Sequence, residues 1–381
     1  MKLEERSQVE KLAKFHSSKF LTSSFYLDRD KGRLTKKEIS LALKNILHQG
    51  RERIQALDLS KAQKESLSKD LDKINAWGGQ QIFGSSLPGL AVFSCQEEGF
   101  WQDFDLGSAP RNRLVFDYNP YVKPLSVVLD ESHRLCALLV DRREASWFSV
   151  HLGQVAPLEH LRSEVPSKIK KGGFEGYDSK RIERHVEARL LEHFKKVGQT
   201  TFDLFKTQNF DYLFLGCADV LRPDLEAQFH PYFKNKVRTG LRLKPGAGPD
   251  RVLQESAELE KRLRKEEEDS LIIKFISELE KGGLAVSGLR DTLRSLNTGE
   301  ALTLLVSREY SAPGTLCPRC RFLYIEEKTC PSCRKPTLAV QDIVDEAVEL
   351  AWDKKSGVKH ISPASKIGRY GKIGALLRYK A

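Results

Sequence analysis

Apolar positions in the first third of the chain follow two different periods. Ser23–Asp28 (SSFYLD) is a short run of strand type. Thr35-Lys-Lys-Glu38 is a capping box that opens a helix with Ile39, Leu43, Ile46 and Leu47 on one face. A second helix is predicted from Ser60, carrying Leu67, Leu71 and Ile74 on one side, and Gly78-Gly79 is expected to break it. Strand-like segments recur at Gly89–Cys95, Phe100–Phe104 and Arg113–Asp117, separated by Gly, Pro and Asn turns. This is an α+β pattern, and Asn119-Pro120 closes it.

Beyond that point three strands are predicted, at Leu125–Leu129, Leu135–Val140 and Trp147–Leu152. A loop rich in Lys and Gly runs from Ser167 to Gly176. It feeds a long helix begun at Asp178 or Ser179, with Ile182, Val186, Leu190 and Val197 on its apolar side. Tyr212–Gly216 reads as a buried strand. Pro245-Gly-Ala-Gly-Pro249 interrupts the pattern before a charged helix from about Asp250 to Leu279, whose Lys/Arg/Glu run at 260–269 reads as a solvated face. The last third alternates in type. Leu284–Leu296 is predicted helical, Ala301–Ser307 a strand, Gln341–Trp352 a helix, and Val358–Ser362 and Gly374–Tyr379 strands. Such alternation favours a three-layer α/β arrangement. The expected fold is thus α+β and α/β, multidomain, with boundaries at 1–122, 123–268 and 269–381.

Composition supports real cores: 40% of the 381 residues are hydrophobic and 30% charged. The excess of 63 Lys+Arg over 52 Asp+Glu leaves a net charge of +11, which suits a polyanionic partner. No stretch reaches the ~20 apolar residues of a membrane span. The start, MKLEERSQVEKLAKF, lacks the apolar core of a signal peptide. A cytoplasmic location with no membrane partner is expected.

Seven cysteines are present. Cys95, Cys136 and Cys217 stand alone in apolar runs and read as small buried hydrophobes. Cys317-Pro-Arg-Cys320 and Cys330-Pro-Ser-Cys333 form a pair of matching turns. Each can present two sulfurs to one ion, so the four are assigned to a structural zinc, with no coordination position left for catalysis. Disulfides or redox dithiols are the competing reading, disfavoured by the absence of an export signal and by the matched spacing. The segment at about 313–337 follows a predicted strand and reads as an insertion ordered by its metal.

Two stretches are strongly basic. Residues 162–196 hold ten Lys/Arg against six Asp/Glu, and residues 353–381 hold eight against one. Lys168, Lys170 and Lys171 beside the loop glycines suit phosphate contacts, and Arg181, Arg184, Lys366, Arg369 and Lys372 extend the candidate RNA-binding set. Either stretch alone would also serve as a solvated face.

Three segments, in order, resemble the archaeal and eukaryotic class-1 peptide-chain release factors and the Pelota proteins, with their bacterial relatives. They are KIKKGGFEGYDSKRIERHVEARLLEHFKKV from Lys168, GLAVSGLRDTLRSLNTGEALTLLVS (283–307), and Ile367-Gly-Arg-Tyr-Gly-Lys-Ile-Gly-Ala-Leu-Leu-Arg-Tyr379. The resemblance covers roughly residues 123–381. It implies a middle domain whose loop reaches the peptidyl-transferase centre and a C-terminal domain that docks a translational GTPase, in bacteria elongation factor Tu. Release factors carry Gly-Gly-Gln in the loop, whereas this chain has Gly172, Gly173 and Phe174. Without the Gln amide, ordinary peptidyl-tRNA hydrolysis is not expected, although the Phe174 backbone N–H remains as an oxyanion donor. A literal Gly78-Gly79-Gln80 lacks the basic flank and the long helix after it, and is read as coincidence.

The resemblance therefore implies a ribosome-binding factor that occupies the A site, contacting rRNA and tRNA but not DNA, in hibernation or rescue. Two alternatives stand beside it: an active peptidyl-tRNA hydrolase using the loop backbone, and a zinc-containing RNA-binding protein that works off the ribosome.

Overall fold

The computed structural model describes residues 8–9, 11–85, 87–131, 133–165 and 176–380. They form two compact units, one of Met1–Glu131 with Lys265–Ala381 and the other of Ser132–Arg264. The architecture is mixed α/β and multidomain.

The first unit begins with β1 (Thr22–Asp28), α1 (Lys36–Ala56), α2 (Lys61–Gln81), β2 (Gly89–Cys95), β3 (Phe100–Leu106), β4 (Arg113–Asp117) and α3 (Lys123–Glu131). The strands form an antiparallel sheet in the order β3-β2-β1-β4. Capping boxes at Thr35/Glu38 and Ser60/Gln63 satisfy the first N–H groups of α1 and α2. Their apolar faces, Ile39, Leu43, Leu47, Leu67, Leu71 and Ile74, pack on Phe25, Leu27, Leu90 and Val92. The other sheet face is also covered, through Tyr26, Ala91, Phe93, Val122 and Leu125. Two expectations fail here. Gly78-Gly79 does not end α2, which continues to Gln81. A Cβ on Gly78 would lie 3.1 Å from Leu43 Cδ2, so this glycine permits close helix approach. Leu125–Leu129 is helical, within α3. Its strand-like composition is overridden by Pro124 in the first turn and by Asp345 Oδ1, which accepts the Lys123 N–H at 2.7 Å.

The second unit holds β5 (Leu135–Val140), β6 (Glu144–His151), β7 (Gln154–Arg162), α4 (Gly176–Gln208), β8 (Tyr212–Cys217), α5 (Arg222–Ala227), α6 (Pro231–Lys234), β9 (Val237–Thr239) and the first half of α7 (Pro249–Glu280). Its sheet runs β7-β6-β5-β8-β9, with β8 parallel to both β5 and β9. Phe194, Val197 and Phe205 of α4 cover one face. Val252, Leu259 and Leu263 of α7 cover the other. Trp147, fully buried, donates its indole N–H to Thr201 Oγ1 at 3.0 Å. Strand β7 was not expected, because Pro157 interrupts its pattern. It is an edge strand, and the register shifts opposite Trp147/Phe148 beside that proline.

The chain returns to the first unit with the second half of α7, β10 (Ala285–Ser287), α8 (Leu289–Thr298), β11 (Ala301–Ser307), the short strands β12 (Gly314–Leu316), β13 (Leu323–Tyr324) and β14 (Leu338–Val340), α9 (Ile343–Asp353), β15 (Gly357–Ile361) and β16 (Ile373–Leu377). The main sheet is β10-β16-β11-β15. Leu293, Leu296, Val344 and Val348 line one of its faces, and Ile272 and Phe275 of α7 the other. The helix expected over Leu284–Leu296 starts late. Its first residues form β10, and Gly288, at φ +81°, turns the chain into α8.

Candidate functional site

The insertion between β11 and α9 is held by a three-stranded sheet in the order β13-β12-β14, too small to enclose a core. Cys317, Cys320, Cys330 and Cys333 meet there, their sulfurs all within 4.8 Å of one another. The two turns fold alike. Arg321 N–H donates to the Cys317 carbonyl and Arg334 N–H to the Cys330 carbonyl, both at 2.8 Å. Both arginines take left-handed φ, 57° and 58°, which doubles the chain back behind each pair. Cys317 Sγ and Cys333 Sγ are 3.5 Å apart. A disulfide needs ~2.05 Å, whereas sulfurs ~2.3 Å from one tetrahedral ion are separated by ~3.8 Å.

Electrostatics agree with a shared cation. Desolvation raises the Cys330 thiol, but the Tyr324 hydroxyl, 3.3 Å from its sulfur, and the Cys333 and Ser332 N–H groups outweigh it and bring it down to about 6. The hydrogen bond with Cys333 and then desolvation push Cys320 up to about 12. One thiolate forms readily and the next is resisted by its neighbours, so a full set needs positive charge at its centre. The all-sulfur donor set fits one metal ion.

The predicted RNA-binding residues fall into separate places. Lys168, Lys170, Lys171, Gly172, Gly173 and Phe174 lie outside the described residues, as does the Arg181 side chain. Arg184 is exposed on α4. A cavity of about 880 Å³ lies between the end of β7 and α4, lined by Arg143, Arg162, His185, Arg189, His193 and Lys196 among others. Burial lowers the His193 pKa, and its Nδ1 is 2.9 Å from Ser163 Oγ. Lys366, Arg369 and Lys372 are exposed on the turn before β16, anchored by the buried Ile367. Of the lone cysteines, Cys95 and Cys136 are buried as expected, while Cys217 is half-exposed at the end of β8.

Residues 120–261 match the family model for the bacterial archaeo-eukaryotic release factor family 10. Peptide chain release factor subunit 1 of Methanosphaera stadtmanae is 25% identical over 287 residues, 68% of this chain and 69% of that protein. Its counterpart in Archaeoglobus fulgidus is 28% identical over 295 residues, 71% and 72% of the two chains. The chain is thus similar to archaeal class-1 peptide chain release factors, and its middle segment to a bacterial family of the same kind. Among solved structures, Archaeoglobus fulgidus Pelota is similar at 15% identity and a TM-score of 0.33, covering 77% of this chain and 79% of that one.

The first unit also contains a charged cluster that the sequence pattern concealed. Asp342, Asp345, Glu346 and Glu349 recur at helical spacing, which normally marks a solvated face, yet Asp345, Glu346 and Glu349 are buried. The cue is missing from α9 itself, because the segment that covers its acidic face, residues 119–123, lies more than 200 residues earlier. Asp342 Oδ2 accepts from Tyr121 Oη at 3.0 Å and lies 3.2 Å from Lys123 Nζ. Asn119 Nδ2 donates to Glu346 at 3.3 Å and to Glu349 at 3.0 Å. Arg321, just after Cys320, lies 3.6 Å from Glu349. Burial, reinforced by neighbouring carboxylates, pushes Asp345 and Glu349 well above the carboxylate range, and Glu346 up to about 7.

Proposed function

We propose that this release-factor relative binds the ribosome, occupies the A site without ordinary termination chemistry, and acts in hibernation or rescue in the cytoplasm. The observation that carries the reading is the match to archaeal release factor subunits over two thirds of both chains, combined with Phe174 in place of the Gln of Gly-Gly-Gln. Gly172 and Gly173 permit close backbone approach, but catalysis needs a polar group favouring the transition state over the ground state. Phe174 offers a ring, suited to stacking on a base.

The long α4, with 33 residues, gives a rod on the order of 50 Å. Its N-terminal dipole and the preceding lysines favour phosphate contacts to rRNA or tRNA. In this reading the chain works as three domains, 1–122, 123–268 and 269–381, each with its own sheet. The last would dock a translational GTPase such as elongation factor Tu. We assign zinc to Cys317, Cys320, Cys330 and Cys333, where it would supply structural order and no reacting position.

The test is cosedimentation of the purified chain with ribosomes, paired with peptide release from ribosomes loaded with peptidyl-tRNA. Cosedimentation without release is expected. Rapid release abolished by Gly173→Ala would instead establish a hydrolase. Failure to cosediment would place the protein off the ribosome.

A further inference from the structure

The second unit carries a cleft of about 880 Å³ at the carboxyl ends of the parallel strands β8 and β9, well away in sequence from the Gly-Gly loop. Open α/β sheets characteristically bind ligands at such strand ends. One wall is a stripe of α7 that includes Arg251, Glu255, Glu258 and Arg262, flanking the Val252/Leu259/Leu263 face packed on the sheet. The opposite wall holds Arg222, at the start of α5, and Arg242, after β9.

The acids of the cleft are partly engaged. Asp219 lies 3.2 Å from Arg222 Nη1, and Glu255 accepts the Arg242 backbone N–H at 2.8 Å. Among the described residues, the guanidinium groups of Arg242, Arg251 and Arg262 have no carboxylate partner. Gly240, at φ +133°, opens the floor, where an added Cβ would stand 3.7 Å from Arg262 Nη2. Three unengaged forks facing one groove match phosphate oxygens, which arginine grips through two parallel hydrogen bonds. Among the described residues, no aromatic ring lines the groove to offer a platform for stacking a base.

We infer that this cleft is a second phosphate-binding site, which takes the sugar-phosphate backbone of RNA and reads charge and spacing rather than sequence. RNA as the source of phosphate rests on the ribosome reading above.

The test is titration of the purified full chain with a fluorescently labelled RNA hairpin over a series of salt concentrations. Arg251→Ala/Arg262→Ala should weaken binding about tenfold and make the slope of log affinity against log salt shallower by about one to two. Lys37→Ala/Lys44→Ala, which removes the same charge from the exposed side of α1, should change both much less. Arg251→Lys/Arg262→Lys should recover most of the slope but not all of the affinity, because lysine keeps the charge and loses the fork. An arginine variant indistinguishable from the lysine control would overturn the site. Arginine-dependent binding of inorganic phosphate, with RNA affinity unchanged, would overturn RNA as the ligand. The readout uses free RNA, so failure to bind ribosomes refutes the functional reading separately and leaves this result standing.

Discussion

Glu346→Gln should flatten the pH dependence of stability in the first unit. Glu346 is buried on α9, facing Asn119 and the charges of Asp117, Asp342, Asp345, Glu349 and Arg321. Burial and then Asp117 raise its pKa to about 7, whereas an unfolded glutamate titrates near 4.3. The folded chain therefore binds the proton more tightly than the unfolded chain. Stability from this group is complete below about pH 4.3 and declines as pH rises through about 7. The gap between about 7 and about 4.3 corresponds to roughly 4 kcal/mol lost by pH 8. Glutamine retains an oxygen for the Asn119 amide and has no proton to lose. The variant should thus match the wild type near pH 4.5 and be more stable at pH 8, by up to roughly 4 kcal/mol. Urea unfolding across this range, with hydrogen exchange of Ile343–Asp353 as the local readout, measures it. Parallel pH profiles, or a variant less stable at pH 8, would refute the account.

Metal analysis should find one zinc per folded chain, and Cys330→Ala should lose it, raising hydrogen exchange over 313–337 while Ser132–Arg264 stays protected. Neutralising Lys168, Lys170 and Lys171 together should weaken ribosome binding and reduce its salt slope by about two to three; an unchanged slope would show that the loop does not meet phosphate. Phe174→Ala should lower ribosome affinity by about 1–3 kcal/mol if the ring stacks on a base, and equal affinities in competition sedimentation would exclude that role.

The elements most legible in the sequence were those whose signals are local. A capping box fixed the start of α1, and matched Cys-x-x-Cys turns located the four-cysteine cluster. Distant partners were the part that could not be read. Residues Leu125–Leu129 look like a strand because the carboxylate capping their helix comes from Asp345. Gly78 looks like a breaker because its packing neighbour, Leu43, lies on another helix. The arginine cleft was hidden for a similar reason: its walls come from three chain segments, and the stretch at 260–269 read simply as a solvated face.

The Lys123–Asp345 cap also has a consequence in time. Its two halves are 222 residues apart, so at about 5–20 residues per second the carboxylate emerges roughly ten to forty seconds after the N–H it must satisfy. During that interval the N-terminal sheet can form, because β1–β4 and their helices are complete. The first turn of α3 and the Asn119 amide still await α9. A nascent chain stalled before Asp345 would carry a folded sheet with an unfinished strap, and that strap is where a chaperone or a protease would find it.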